Sequence, residues 1–212
     1  MRSSPTPETR ATELDATSAL FALPLDEILR RTGEQTAYPG GGAASAAACA
    51  SAASLVAMAA RFTGDAADHA VIGAAIEAVI EADAAIEELR GLADADAAAF
   101  GELLAAWSLP AEHADRPDRV AAAARGACDV PLRICQLGAT IARHGTWLAV
   151  AGKRDLRGDA FTGVQLANAA VQAAARLVEV NAGEAADRSP AEEARQLAAD
   201  TRHLLGEIPP AG

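Results

Sequence analysis

Two carboxylates, Asp94 and Asp96 in LADADAAAF (92–100), are the first residues in this chain whose placement could do chemistry. Residues two apart on a helix point about 200° away from each other, so the pair cannot serve one site. Asp96 continues an apolar row, three residues after Ala93 and four before Phe100, whereas Asp94 is expected to face water. A carboxylate on a packed row needs a reason, because burying it unpaired is costly. Two readings satisfy the spacing: an ion pair with an arginine from a neighbouring helix, or an acid that acts on or orients a ligand in a cleft. Asp83 falls on the same row, about 20 Å away along the axis, so the row alone does not single out Asp96. A second polar group is the turn GKRDLRGD (152–159), where Lys153, Arg154 and Arg157 surround Asp155 and Asp159. In a chain of net charge -11 whose only lysine is Lys153, this basic knot is either a solvated loop or a seat for an anion.

The third group is YPGGGAAS (38–45). Gly40, Gly41 and Gly42 permit close backbone approach, and a helix starting there presents free N–H groups and a partial positive charge. The run matches neither GxxxxGK[ST] nor GxGxxG, and no strand precedes it, which argues against a nucleotide loop. The four histidines stand singly, and Cys49, Cys128 and Cys135 lack zinc-type spacing. No metal site is therefore expected, and buried free thiols in a reducing cytosol are.

The elements that must position these groups are helices. Alanine, the strongest helix former, dominates, and β-branched residues are sparse. The 212 residues, 51% apolar and 22% charged, suffice for one core. The expectation is an all-α, up-and-down bundle with long central helices, preceded by a poorly ordered polar segment (1–22) and comprising a single domain over 23–212. A short helix lies between Pro24 and Gly33. An alanine helix follows the glycines to about Phe62 and is expected to be buried on all sides. After a cap at Asp65, one long helix runs over 66–108, its seam formed by Ile72, Ile76, Val79, Ile86, Leu89, Ala93, Phe100, Leu103 and Trp107. Later helices are expected over 119–145, kinked or broken at Pro131, over 161–182, and from a capping box at Ser189 to about Leu205.

The alanine helix has nearly the length of a membrane span, but alanine and serine contribute little insertion energy. The acidic balance lacks a nucleic-acid footprint and a polybasic membrane patch. The polar N-terminus has no apolar signal region.

PGGG before a small-residue helix, DADAAAF with WSLP after it, VPL, a GK…GD turn and a helix ending in VN follow one another from about Pro24 to Leu205. In that order and spacing they resemble the cyclodeaminase/cyclohydrolase family. This family comprises the cyclodeaminase half of formiminotransferase-cyclodeaminase and the stand-alone methenyltetrahydrofolate cyclohydrolases. The resemblance implies a cytoplasmic all-helical homodimer with a folate cleft, a tetrahydrofolate derivative as substrate and no separate cofactor. For a stand-alone chain of this length it implies addition of water to 5,10-methenyltetrahydrofolate to give 10-formyltetrahydrofolate. Cyclodeamination of formiminotetrahydrofolate, the same fold acting on another amidine, and a non-catalytic helical dimer are the alternatives. By resemblance Asp96 and Asp159 are catalytic. Gly40, Gly41 and Gly42 form a wall for the pterin, Lys153 and Arg157 meet the glutamate tail, and Asn181 is a binding residue. Four positions depart from the family pattern: Ala43 replaces a serine, Lys153 an asparagine, Gly158 a serine and Leu177 an asparagine.

Overall fold

The computed structural model describes residues 19–36, 38–64, 68–183 and 187–210. Among them lie six helices and no strand: α1 (Leu25–Thr32), α2 (Gly41–Thr63), α3 (His69–Trp107), α4 (Arg116–Ala151), α5 (Arg157–Asn181) and α6 (Ser189–Gly206). Side-chain pairs fix their directions. Arg61 near the end of α2 binds Asp83 early in α3 at 2.6 Å, so α3 returns along α2. Arg133 binds Glu88, and His144 binds Glu81 further back, so α4 reverses α3. The Sγ of Cys128 donates to Val178 O and that of Cys135 to Val171 O, so α5 reverses α4. The expected up-and-down bundle is what forms, with α6 antiparallel to α5 through Arg195–Glu179 and Gln172 to Ala198 O.

Small residues set how closely these helices approach. A Cβ added to Gly145 of α4 would lie 2.7 Å from Val164 of α5 and 3.1 Å from Val56 of α2, so its absence lets three backbones converge there. The same effect corrects the expected seam of α3. Its buried row is Ala75, Ala78, Ala82, Ala85, Leu89, Ala93, Leu103 and Ala106. Ile76 is 54% exposed and Trp107 40%. Alanine rows of α2 and α3 face each other at short range, and the bulkier side chains are displaced to the edges. Nor is α2 buried on all sides: it packs on α3, α4 and α5 but leaves an open row that includes Ala44, Ser51, Ser54, Arg61 and Phe62. Among the described residues it is the one helix long and apolar enough to cross a bilayer.

Several boundaries differ from expectation. Residues 1–18 of the expected N-terminal segment lie outside the described residues, but Leu20–Ala22 form a 3-10 turn and Leu20 is buried in the core. Asp65 also lies outside them; Asp68 caps α3, its carboxylate accepting from the Ala70 N–H at 2.8 Å. α4 runs unbroken through Pro131. At α6 the Ser189 hydroxyl does not cap; instead Asp187 accepts from both the Ser189 N–H and hydroxyl.

Candidate active site

At the start of α2 the chain turns through Gly40 into a helix that no side chain of its own caps. The carboxylate of Asp96, reaching across from α3, lies at that open end, beside the Ala43 backbone N–H. It lies so close to the helix start that a Cβ on Gly42 would stand within 2.5 Å of all three carboxyl atoms. Gly42 is therefore glycine for space, with no positive φ involved. Burial pushes the Asp96 carboxyl above the ordinary aspartate range, and the nearby Ala43 N–H only partly opposes it. Among the described residues Asp96 has no arginine or lysine partner. The ion-pair reading is realised at Asp83, which holds Arg61 on the surface.

Asp96 faces a cavity of about 240 Å³ bounded by Gly40, Gly41, Gly42, Phe100, Leu177 and Asn181. The Asn181 amide nitrogen donates to Ala127 O at 2.7 Å, which joins the end of α5 to α4 and leaves the amide oxygen available. Leu177 stands beside Gly41, and a Cβ there would sit 3.6 Å from its methyls. Glycines, carboxylate and amide thus line one cavity.

Asp94 is only partly exposed to water. Its Oδ1 accepts from the Leu20 N–H at 2.9 Å and from the Tyr38 hydroxyl at 3.1 Å. Burial, then the neighbouring Asp94 carboxylate, pushes the Tyr38 phenol up to about 12, so it stays a donor at physiological pH. Sequence reasoning missed this pair. The helical spacing showed that Asp94 leaves the Asp96 row, but the N-terminal turn it meets is 74 residues away.

The charged turn is not brought to this cleft. The Lys153 N–H donates to Thr63 Oγ1, and its ammonium lies 5.3 Å over the Phe62 ring, both at the far end of α2. That end is about 33 Å from Gly41 along the helix. Asp159 lies in the first turn of α5 at the same end. Arg157 lines a different cavity, beside Arg154 and Phe161. Within one chain, Lys153, Arg157 and Asp159 cannot join Asp96 around a single ligand.

The family model described as formiminotransferase-cyclodeaminase matches residues 24–200. This chain belongs to that family. Over 160 residues, 73% of this chain and 77% of the relative, it is 32% identical to a methenyltetrahydrofolate cyclohydrolase of Methylorubrum extorquens. It is also 32% identical over 146 residues to the formimidoyltransferase-cyclodeaminase of Sus scrofa, of which it spans only 27%. The crystal structure of formiminotetrahydrofolate cyclodeaminase from Thermotoga maritima has the same fold, with a TM-score of 0.81 over 89% of this chain and 95% of that one, at 24% identity.

Proposed function

We propose that this protein is a methenyltetrahydrofolate cyclohydrolase, a hydrolase of a cyclic amidine C–N bond. The observation that carries the reading is Asp96: a partly buried carboxylate with no cationic partner among the described residues, facing a cleft walled by glycine backbone. The methenyl bridge between N5 and N10 is an amidinium cation, and a carboxylate beside it offsets that charge in a partly dry site. Water adds to the bridge carbon while Asp96 takes its proton. The C–N5 bond then breaks, N5 receives a proton, and the formyl group stays on N10. The raised affinity of Asp96 for a proton suits it to accept one. Mixing the protein with 5,10-methenyltetrahydrofolate and following its near-ultraviolet band tests the reading; decay no faster than in buffer rejects it.

The cleft of one chain is small, about 240 Å³, against roughly 300 Å³ at the lower end for small-molecule sites. The open row of α2 ends at the glycines on one side and at Phe62 and Lys153 on the other. In our reading a second copy packs antiparallel along this row, a two-fold arrangement in which each chain lends its far end to the other's cleft. Asp159 and Lys153 then act across the subunit boundary, and the protein works as a cytoplasmic homodimer without a separate cofactor. A Ser51→Arg substitution in the middle of the row is expected to give monomers by sedimentation and to abolish turnover together. Full turnover from a monomer rejects the shared site.

A second reading, cyclodeamination of formiminotetrahydrofolate, draws on the likeness to the pig relative. It predicts ammonia release from that compound at a rate exceeding methenyl hydrolysis.

A further inference from the structure

A second cavity is larger than the one beside Asp96. It lies where the end of α4, the charged turn and the start of α5 meet the end of α6, and has a volume of about 950 Å³. That is near the upper end for small-molecule sites, roughly 1,000 Å³. Its walls are mostly apolar and include Phe161, Leu205 and Ile208. The Phe161 side chain is 38% exposed, so an aromatic surface is left open to the space. Three polar groups border it: Arg154, Arg157 and Gln165.

The charge is the informative part. The chain carries 29 acidic and 18 basic residues, yet the lining includes two arginines and no carboxylate. Neither arginine takes part in an ion pair among the described residues. The Arg157 Nε donates to Gly152 O at 3.4 Å, which orients the guanidinium and leaves its two terminal nitrogens for another partner. A Cβ at Gly158, between Arg157 and Phe161, would meet nothing within 4 Å, so the space beside the arginines is open. Planar guanidinium groups match a carboxylate through paired hydrogen bonds, and they do so best where apolar walls lower the local dielectric. An aromatic ring next to them accepts an aryl body by offset stacking.

We propose that this cavity is a binding site for an aryl carboxylate, its anion held by Arg154 and Arg157 and its ring against Phe161, separate from the Asp96 cleft of the same chain. Two sources share that chemistry: a free aryl acid, and the p-aminobenzoylglutamate portion of a folate. The second source rests on the reaction proposed above; the first does not.

The test uses the full chain and the dye 8-anilino-1-naphthalenesulfonate, an aryl anion whose fluorescence rises on apolar binding. The dye is expected to bind, and the double variant Arg154→Gln/Arg157→Gln to bind it at least tenfold more weakly with an unchanged thermal melt. Gly158→Leu, which places a side chain in the open space, is expected to weaken the dye similarly. 4-Phenylbutyrate is expected to displace the dye where 4-phenylbutanol does not. Displacement by p-aminobenzoylglutamate at tenfold lower concentration than by 4-phenylbutyrate assigns the site to a folate; the reverse order assigns it to a free acid. Absence of dye binding, equal affinity in the double variant, or equal displacement by the alcohol overturns the proposal. So does a loss of dye that accompanies a change of assembly in sedimentation, because the arginines then belong to a subunit contact.

Discussion

Replacing Gly42 by alanine adds one methyl group where the structure has least room for it. The new Cβ would lie within 2.5 Å of the Asp96 carboxyl atoms, while ordinary contact begins at 3.4 Å. The carboxylate must therefore retreat by about 1 Å. A misplacement of that size costs on the order of 10²-fold in turnover when the group positions or activates a reactant. Overpacking adds about 1–3 kcal/mol of destabilisation, reduced by less than 1 kcal/mol because alanine is the better helix former. Gly73→Ala is the control. It lies on the exposed side of α3, away from the cleft, where a Cβ would meet nothing within 4 Å, and it should change turnover less than threefold. The assay is decay of the methenyl absorbance, paired with thermal melts of both variants. Equal turnover for Gly42→Ala and the wild type, in a folded protein, would refute both the placement of Asp96 against the helix start and its role in the reaction.

Asp96→Asn keeps an oxygen for the Ala43 N–H but removes the base, so turnover should fall 10²–10⁴-fold. Because burial raises the Asp96 value in the folded state, its stabilising contribution is present at low pH and is lost as pH rises through that raised value. The asparagine variant should therefore melt above the wild type at pH 7, with the gap narrowing toward pH 4; a lower melting temperature at pH 7 contradicts the desolvation argument. In the wild type, kcat should fall as pH drops through a value above the ordinary aspartate range, and that limb should vanish in Asp96→Asn. Asp94→Ala leaves the Leu20 N–H and Tyr38 hydroxyl without their acceptor and should cost about 1–3 kcal/mol. Asp94→Asn, which still accepts, should cost less than half as much in denaturant unfolding.

The fold class and helix order were legible because they depend on signals that act locally. Alanine content, prolines at helix starts and the loop at 109–118 each constrain backbone within a few residues. The glycine corner and Asp96 were legible for a related reason. A carboxylate on an apolar row and a run of glycines are both expensive unless something uses them, and their convergence in one cleft shows that each explains the other. The carboxylate occupies the volume that glycine leaves, at a helix start that glycine cannot cap. The capping roles of Asp68 and Asp187 were misplaced by only two or three residues, within the reach of competing side chains that offer the same oxygen.

What the sequence concealed was the consequence of alanine on several faces of neighbouring helices. A periodicity of large residues marks a packed seam only when the partner helix presents large residues too. Here α2 offers methyl groups, so the closest approach selects the alanine row of α3, and Ile76 moves outward even though it fits the pattern. The same compositional uniformity hid which side of α2 stays open, since its open row is built from the same residue types as its buried ones. That row decides whether the charged turn belongs to the chemistry. Lys153 and Asp159 are too far from Asp96 along their own chain, and in the proposed dimer the packing of one α2 against another shortens the distance. Arg154 and Arg157 need no such partner, because α6 already completes the cavity they border. In the proposed dimer one eight-residue turn therefore serves two surfaces of the bundle, a division that tertiary packing would set and that spacing along the chain does not encode.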